Sequence, residues 1–228
     1  MAIHTLIDDG AGFEVHVHPA ATPTRVVLFA VGAGGDPARH LPLLEALADS
    51  GATVVAPCFA RMTSPTPTSE ELERRARRLR QALTACGPAA LPVAGVGHSI
   101  GATLLLALAG GQAWMGPGRR LAIEVEPRLD RLALFAPATG YFQAPGALAA
   151  VRARVVAWAG TRDTMTPPAQ ARYLAAALGP TAEVRIIDGA GHFSFMDVPP
   201  PHSVEPLPDR AVVLAELARA TVSFVVGA

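Results

Sequence analysis

The chain has 228 residues, half of them hydrophobic and 17% charged, which suits a packed globular domain better than a disordered or coiled-coil chain. Its 19 basic and 19 acidic residues cancel, so no capture of nucleic acid or of an anionic membrane is expected. All 19 basic residues are arginine, and asparagine is absent. That composition removes Schiff-base lysines, Ser-Lys dyads, lysine-dependent phosphate loops, Cys-His-Asn arrangements and N-glycosylation.

Two cysteines, Cys58 and Cys86, are too few to predict a disulfide framework. The N-terminus has no basic region followed by an apolar run, so no signal peptide is read. The longest apolar stretches, such as 102–109, fall short of the roughly 20 residues that span a bilayer. A soluble cytoplasmic protein is the expectation.

In chain order, 3–6 and 13–18, separated by Asp8-Asp9-Gly10, predict an antiparallel hairpin. The apolar run 26–31 ends in glycines and predicts a buried strand. Asp36 and Pro37 then offer an N-cap and a first-turn proline, opening a helix to about Asp49 that Gly51 closes. A strand follows over 53–56. Thr68 and Glu71 fit a capping box ahead of Leu72, Ala76, Leu79 and Leu83, which share one helical face. Arg74, Arg75, Arg77, Arg78 and Arg80 between them read as a solvated face, because the rest of the chain adds no basic field.

Strand 93–97 leads into a helix over 100–109 that is apolar all round and should be buried under the sheet. Strands at 132–136, 155–159 and 184–187 follow. Thr166 and Pro167 cap a helix running to about Leu178, and a last helix covers 208–225. The proline-rich stretch 199–208 reads as an irregular surface excursion. This alternation predicts an α/β fold: a mostly parallel central sheet, helices on both faces and the N-terminal antiparallel hairpin, in one domain over 1–228.

The strongest chemical signal is Gly97-His98-Ser99-Ile100-Gly101, set between an apolar strand and the buried helix. A serine hydroxyl is a poor nucleophile unless a base is close and the backbone points it out of the fold. A Gly-x-Ser-x-Gly turn achieves the second condition through a strained serine conformation that only glycine neighbours accommodate. The helix starting at Ile100 aims its free N–H groups at the same place.

Together with Ala159-Gly160-Thr161-Arg162-Asp163 and Gly189-Ala190-Gly191-His192-Phe193, this motif resembles the α/β-hydrolase superfamily, in its order of serine, acid and histidine. The resemblance covers nearly the whole chain. It is nearest to small lidless esterases and to the serine-bearing relatives of dienelactone hydrolase.

His192, in a glycine-rich loop after a strand, is the candidate base. His4, His16 and His18 lie in the hairpin, His40 in a helix and His202 in the proline-rich stretch, so they compete poorly. Asp163, placed after the penultimate strand, is the candidate acid that orients the imidazole. Asp188 and Asp197 flank the histidine and are the alternatives. His98 reads as a structural partner.

The resemblance implies oxyanion donors at the Ile100 N–H and in the loop Gly32-Ala33-Gly34-Gly35, with the Ala33 N–H first and Gly34 in reserve. Many relatives carry histidine before that loop; Val31 stands here. Lidded relatives insert a cap after the sixth strand, and the short stretch between Ala138 and Arg154 leaves no room for one, so an open, shallow site is expected.

Phe59, Tyr141, Met165 and Phe193 are candidate substrate contacts, with Cys58 and Phe142 on the same loops and Arg61 and Arg162 near. The expected function is a serine hydrolase acting on a small ester or lactone, with neither nucleic acid nor membrane as partner and no cofactor. The same triad also serves acyl transfer, perhydrolysis or carbon–carbon cleavage, and the fold also hosts non-catalytic ligand-binding scaffolds. His16 and His18 share a strand face, but no third ligand is in reach, so no metal site is expected.

Overall fold

A computed structural model describes every residue except Pro65, His202 and Ala228, so the reading of His202 lies outside the described residues. β1 (Ala2–Asp8) and β2 (Ala11–His18) form the N-terminal hairpin, with Asp8 opposite Ala11. Asp9 and Gly10 both have positive φ, 49° and 76°, the geometry a tight two-residue hairpin turn requires.

β2 continues antiparallel onto β4 (Ala52–Pro57). From β4 onward the pairing is parallel through β3 (Arg25–Ala30), β5 (Val93–His98), β6 (Leu129–Phe135), β7 (Arg154–Gly160) and β8 (Ala182–Ile187). The sheet order is β1-β2-β4-β3-β5-β6-β7-β8. β3, β4 and β5 are buried at every residue, as strands covered on both faces must be. On the edge strand β8, Glu183 and Arg185 face water.

Apolar side chains fill both sides of the sheet. α2 (Ser69–Cys86), α3 (Ile100–Leu108) and α4 (Pro168–Leu178) pack on one side, α1 (Leu41–Asp49) and α5 (Arg210–Val226) on the other. α3 is buried at all 9 of its residues, as its apolar sequence predicts. Thr68 caps α2 by accepting the Glu71 N–H at 3.1 Å. No helix among the described residues is long and apolar enough to cross a membrane.

Two helix starts differ from expectation. Asp36 accepts the Ala38 N–H at 2.9 Å, but it opens a 3₁₀ turn, Pro37–His40, before α1 begins at Leu41. A continuous helix would need an N–H at Pro42 to reach the Ala38 carbonyl, and proline has none. Thr166 does not cap α4, whose N-cap is Pro167; its hydroxyl serves the acid loop described below. Between β6 and β7 the helical structure among the described residues is the 3₁₀ turn Gly140–Phe142, so no helical cap stands over the sheet.

Candidate active site

The loops that follow β3, β5, β7 and β8 meet at the carboxyl ends of the parallel strands. Ser99 sits at the turn from β5 to α3 with φ 54° and ψ −121°, a left-handed conformation rare for a residue with a side chain. Close packing enforces the turn: a Cβ at Gly101 would lie 2.0 Å from the Ala30 carbonyl oxygen. The Ser99 N–H donates to the Phe135 carbonyl at 2.9 Å, so β6 pins the turn from its far side.

The structure brings the three expected residues together. His192 Nε2 lies 3.0 Å from Ser99 Oγ, and its Nδ1 lies 2.8 Å from Asp163 Oδ2. A carboxylate only accepts, so Nδ1 carries the proton, and Nε2 of the neutral ring accepts from the serine hydroxyl. Asp163 is 3% exposed and His192 7%, so both lie away from bulk water.

Burial pushes the Asp163 carboxyl up, but the hydrogen bond and charge of His192 and the bonds from Thr166 outweigh it and hold it below the usual carboxylate range. Asp163 Oδ1 accepts the Met165 and Thr166 N–H groups, each at 2.8 Å, and the Thr166 hydroxyl lies 2.7 Å from Oδ2. The two loops are also tied directly, with the Arg162 N–H donating to the Ala190 carbonyl at 2.9 Å.

The alternative acids lie elsewhere. Asp188 is exposed and accepts from Thr161 Oγ1 at 3.0 Å, while Asp197 lines a depression between α1 and α5 with Arg210.

His98 is buried, and its Nε2–H donates to the His192 carbonyl at 2.9 Å, locking the histidine loop to the end of β5. Its ring packs between His192 at 4.9 Å and His40 at 5.7 Å between centroids. Burial, then the neighbouring His192 and His40, lower His98 well below the usual histidine value. Burial also lowers His40, to about 4. Both are therefore neutral spacers behind the site at pH 7. On the other flank of the loop, the Gly191 N–H donates to Ser194 Oγ at 2.8 Å, and that hydroxyl meets Glu205.

Opposite His192, the loop 32–35 lines the same pocket as Ser99. Neither the Ala33 nor the Gly34 N–H donates to another group among the described residues, and nor does that of Ile100. Gly35 has φ 79°, and a Cβ there would lie 2.0 Å from the Phe59 carbonyl oxygen. The Phe59 N–H donates to Gly35 O at 2.9 Å and the Met62 N–H to Ala33 O at 2.8 Å.

Behind this loop stands Arg75, which corrects the reading of all five arginines of α2 as a solvated face. It is 2% exposed and donates to Gly32 O at 3.2 Å and Ala60 O at 2.6 Å. The guanidinium also lies 5.0 Å from the Phe59 ring centroid. Burial lowers it to about 10, partly offset by Glu71, so it stays a cation at neutral pH. The signal was in the spacing: Arg75 lies three residues after Leu72 and four before Leu79, on the apolar face of α2.

A pocket of about 250 Å³ holds Ser99 and His192. Met165 and Phe193 line it. Tyr141 and Phe59 do not, which corrects both. Tyr141 lines a separate depression with Trp114 and Met115, and Phe59 packs under the Gly35 turn against Arg75. Loop side chains cannot be aimed from sequence alone, and here the Tyr141 ring sits with Trp114 and Met115 and the Phe59 ring under the Arg75 guanidinium. Pro200 and Pro201 do line the pocket, so the proline-rich stretch is a wall of the site as well as surface, and Arg39 anchors it through the Val198 and Pro199 carbonyls at 3.1 and 3.0 Å. The expected absence of a third metal donor is also corrected: Glu14 and Cys58 lie beside His16, whereas His18 is not of the group.

No family model and no curated protein matches the chain. Solved structures do. An esterase from the planctomycete Thermogutta terrifontis, with propionate bound, is 17% identical with a TM-score of 0.66, covering 99% of this chain and 93% of that one. The same esterase phosphorylated by paraoxon has a TM-score of 0.63 at 17% identity, covering 97% and 93%. A predicted CIB-like hydrolase from Thermoplasma acidophilum is 19% identical, with a TM-score of 0.69 over 100% of both chains. The chain has the α/β-hydrolase fold.

Proposed function

We propose that this protein is a serine hydrolase that cleaves small carboxylic esters or lactones through an acyl-enzyme on Ser99. One observation carries the reading: a serine hydroxyl 3.0 Å from an imidazole nitrogen whose other nitrogen is 2.8 Å from a buried carboxylate. Ser99 Oγ attacks the ester carbonyl carbon while its proton passes to His192 Nε2. The tetrahedral oxyanion is received by the Ile100 N–H and by that of Ala33, with Gly34 the alternative donor. Collapse breaks the carbon–oxygen bond, and Nε2 returns the proton to the leaving alkoxide. His192 then takes a proton from water, which attacks the acyl-enzyme and releases the acid.

Asp163 stabilises the imidazolium in both halves and fixes its tautomer. The 250 Å³ pocket and the missing helical cap favour short acyl groups, in the manner of small lidless esterases related to dienelactone hydrolase. The esterases among the structural neighbours support the same reaction class.

The test compares p-nitrophenyl acetate, butyrate and octanoate hydrolysis by the wild type and Ser99→Ala. Wild-type turnover is expected to favour the shorter chains, and the variant to lose on the order of 10⁶ in kcat. Paraoxon should add one dialkyl phosphoryl group to the wild type, on the Ser99 peptide, and none to the variant. A variant that keeps most of the activity overturns the proposal.

A further inference from the structure

β2 and β4 run antiparallel with Val15 opposite Pro57 and His16 opposite Ala56, which puts Cys58 across from Glu14. The Cys58 N–H donates to the Glu14 carbonyl at 2.8 Å and fixes that register. Alternate residues of a strand share a face, so Glu14 and His16 stand side by side. A carboxylate oxygen, an imidazole nitrogen and the Cys58 sulfur all lie within 4.8 Å of one another. Glu14 is exposed, and His16 and Cys58 are half-buried, so the trio is open to solvent.

We propose that Glu14, His16 and Cys58 form a binding site for one divalent metal ion of the zinc class. The donor set selects the ion: thiolate and imidazole suit zinc, whereas calcium and magnesium prefer all-oxygen shells. Tetrahedral zinc with bonds of about 2.0–2.3 Å places neighbouring donors about 3.3–3.6 Å apart. The trio reaches that spacing by closing about 1 Å, a movement within the side-chain freedom of an exposed glutamate and a half-buried histidine. Three protein ligands leave the fourth position to water.

The ion would also fasten β2 to the segment behind the pocket loop. Cys58 immediately precedes Phe59, and Phe59 and Met62 donate to the Gly35 and Ala33 carbonyls. The site stands independently of the esterase reading.

The test uses the whole 228-residue chain, untagged and metal-free. Zinc is titrated in competition with a chromophoric chelator, and cobalt(II) is added separately as a spectroscopic probe. One zinc per chain is expected, with a thiolate-to-cobalt charge-transfer band and a zinc-dependent rise in Tm. Cys58→Ser should abolish the band. His16→Ala should weaken zinc by at least about 10–100-fold, the loss seen when even an outer-shell partner is removed. His18→Ala and Cys86→Ser, which alter a neighbouring histidine and the other thiol, should leave all three readouts unchanged. The proposal fails if no saturable zinc binding occurs, if the band survives Cys58→Ser, or if His18→Ala weakens zinc as much as His16→Ala. Should Cys58→Ser fail to fold, the comparison of His16→Ala with His18→Ala decides.

Discussion

The two flanks of Ser99 are built in opposite ways. On the His192 flank the candidate catalytic atoms belong to side chains, and side chains hold them: Asp163 against Nδ1, Thr166 against Asp163. On the flank of loop 32–35 the candidate donors are backbone amides, and the loop is held from behind by Arg75, contributed by α2. The first flank is exposed to the loss of any member of its network. The second tolerates changes in the side chains of its own loop but leans on one guanidinium that donates to two carbonyls and lies over the Phe59 ring. A cation bonded to carbonyl oxygens replaces the water it has lost, and its bond to Gly32 O holds the peptide plane that carries the Ala33 N–H.

The sharpest way to break this comparison is Asp163→Asn. An amide in that place keeps the shape but favours the wrong imidazole tautomer, and kcat for p-nitrophenyl acetate should fall by about 10⁴. A loss under about tenfold would mean that Asp163 does not orient His192 and that the flank is not a side-chain device at all.

Next comes Arg75→Met, which removes the cation and its bonds to the Gly32 and Ala60 carbonyls, leaving Gly32 O with the Gly35 N–H at 3.1 Å. If the guanidinium sets the loop, kcat should fall by about 10²–10³, the usual loss for one oxyanion donor, with KM little changed. Arg75→Lys should recover part of that, since one ammonium cannot reproduce the planar fork that reaches two carbonyls. A lower Tm with unchanged kcat would reduce Arg75 to a packing residue.

A smaller effect is expected at Thr166, whose hydroxyl lies within hydrogen-bond reach of Asp163 Oδ2 and the Ala136 carbonyl. Thr166→Val should lower kcat by roughly tenfold, the equivalent of one hydrogen bond to a charged group. The pH dependence carries a definite sign. Asp163 is held below its ordinary value of 3.8, so its ionisation stabilises the fold above that value and the contribution is lost as pH falls through the folded value. Removing the hydroxyl raises the folded value, so acid melting of the variant should begin at higher pH than in the wild type. Identical acid transitions would show that the Thr166 hydroxyl does not stabilise the carboxylate.

The same contrast explains what could be read from the sequence. Apolar runs located the central strands and α3 to within a few residues, because a strand buried on both faces and a helix buried all round have no other composition available to them. Ser99, His192 and Asp163 were legible for a related reason: each follows a strand, and Ser99 and His192 lie in glycine-rich turns.

Arg75 was harder to see because a buried arginine sits among four other arginines, and only its spacing separates it from them. Phe59 and Tyr141 were misplaced because loop backbones decide where aromatic rings point. The trio of Glu14, His16 and Cys58 depends on a strand pairing between β2 and β4 that skips β3, and sequence distance hides it. The proline-rich stretch announced irregularity but not its return to the pocket.

The mildest test uses the other arginines of α2. Arg77 and Arg78 reach Asp8 at 2.6 and 2.9 Å, clamping the helix to the N-terminal hairpin. The Arg77 hydrogen bond holds the Asp8 carboxyl down at about 2, against its burial and with help from Arg78. A depressed carboxylate stabilises the fold above its ordinary value of 3.8, and that contribution is lost as pH falls toward about 2. Wild type and Asp8→Asn should therefore differ in Tm at pH 5 and converge near pH 2, as thermal melts followed by circular dichroism would record. Activity is the discriminating measurement, because these pairs join side chains to side chains and touch no pocket carbonyl. Asp8→Asn should leave kcat at neutral pH within about twofold of wild type, a change worth less than about 0.5 kcal/mol in the barrier. If it lowers kcat as far as Arg75→Met does, the whole of α2 positions the loop, and the special status of the buried arginine is lost.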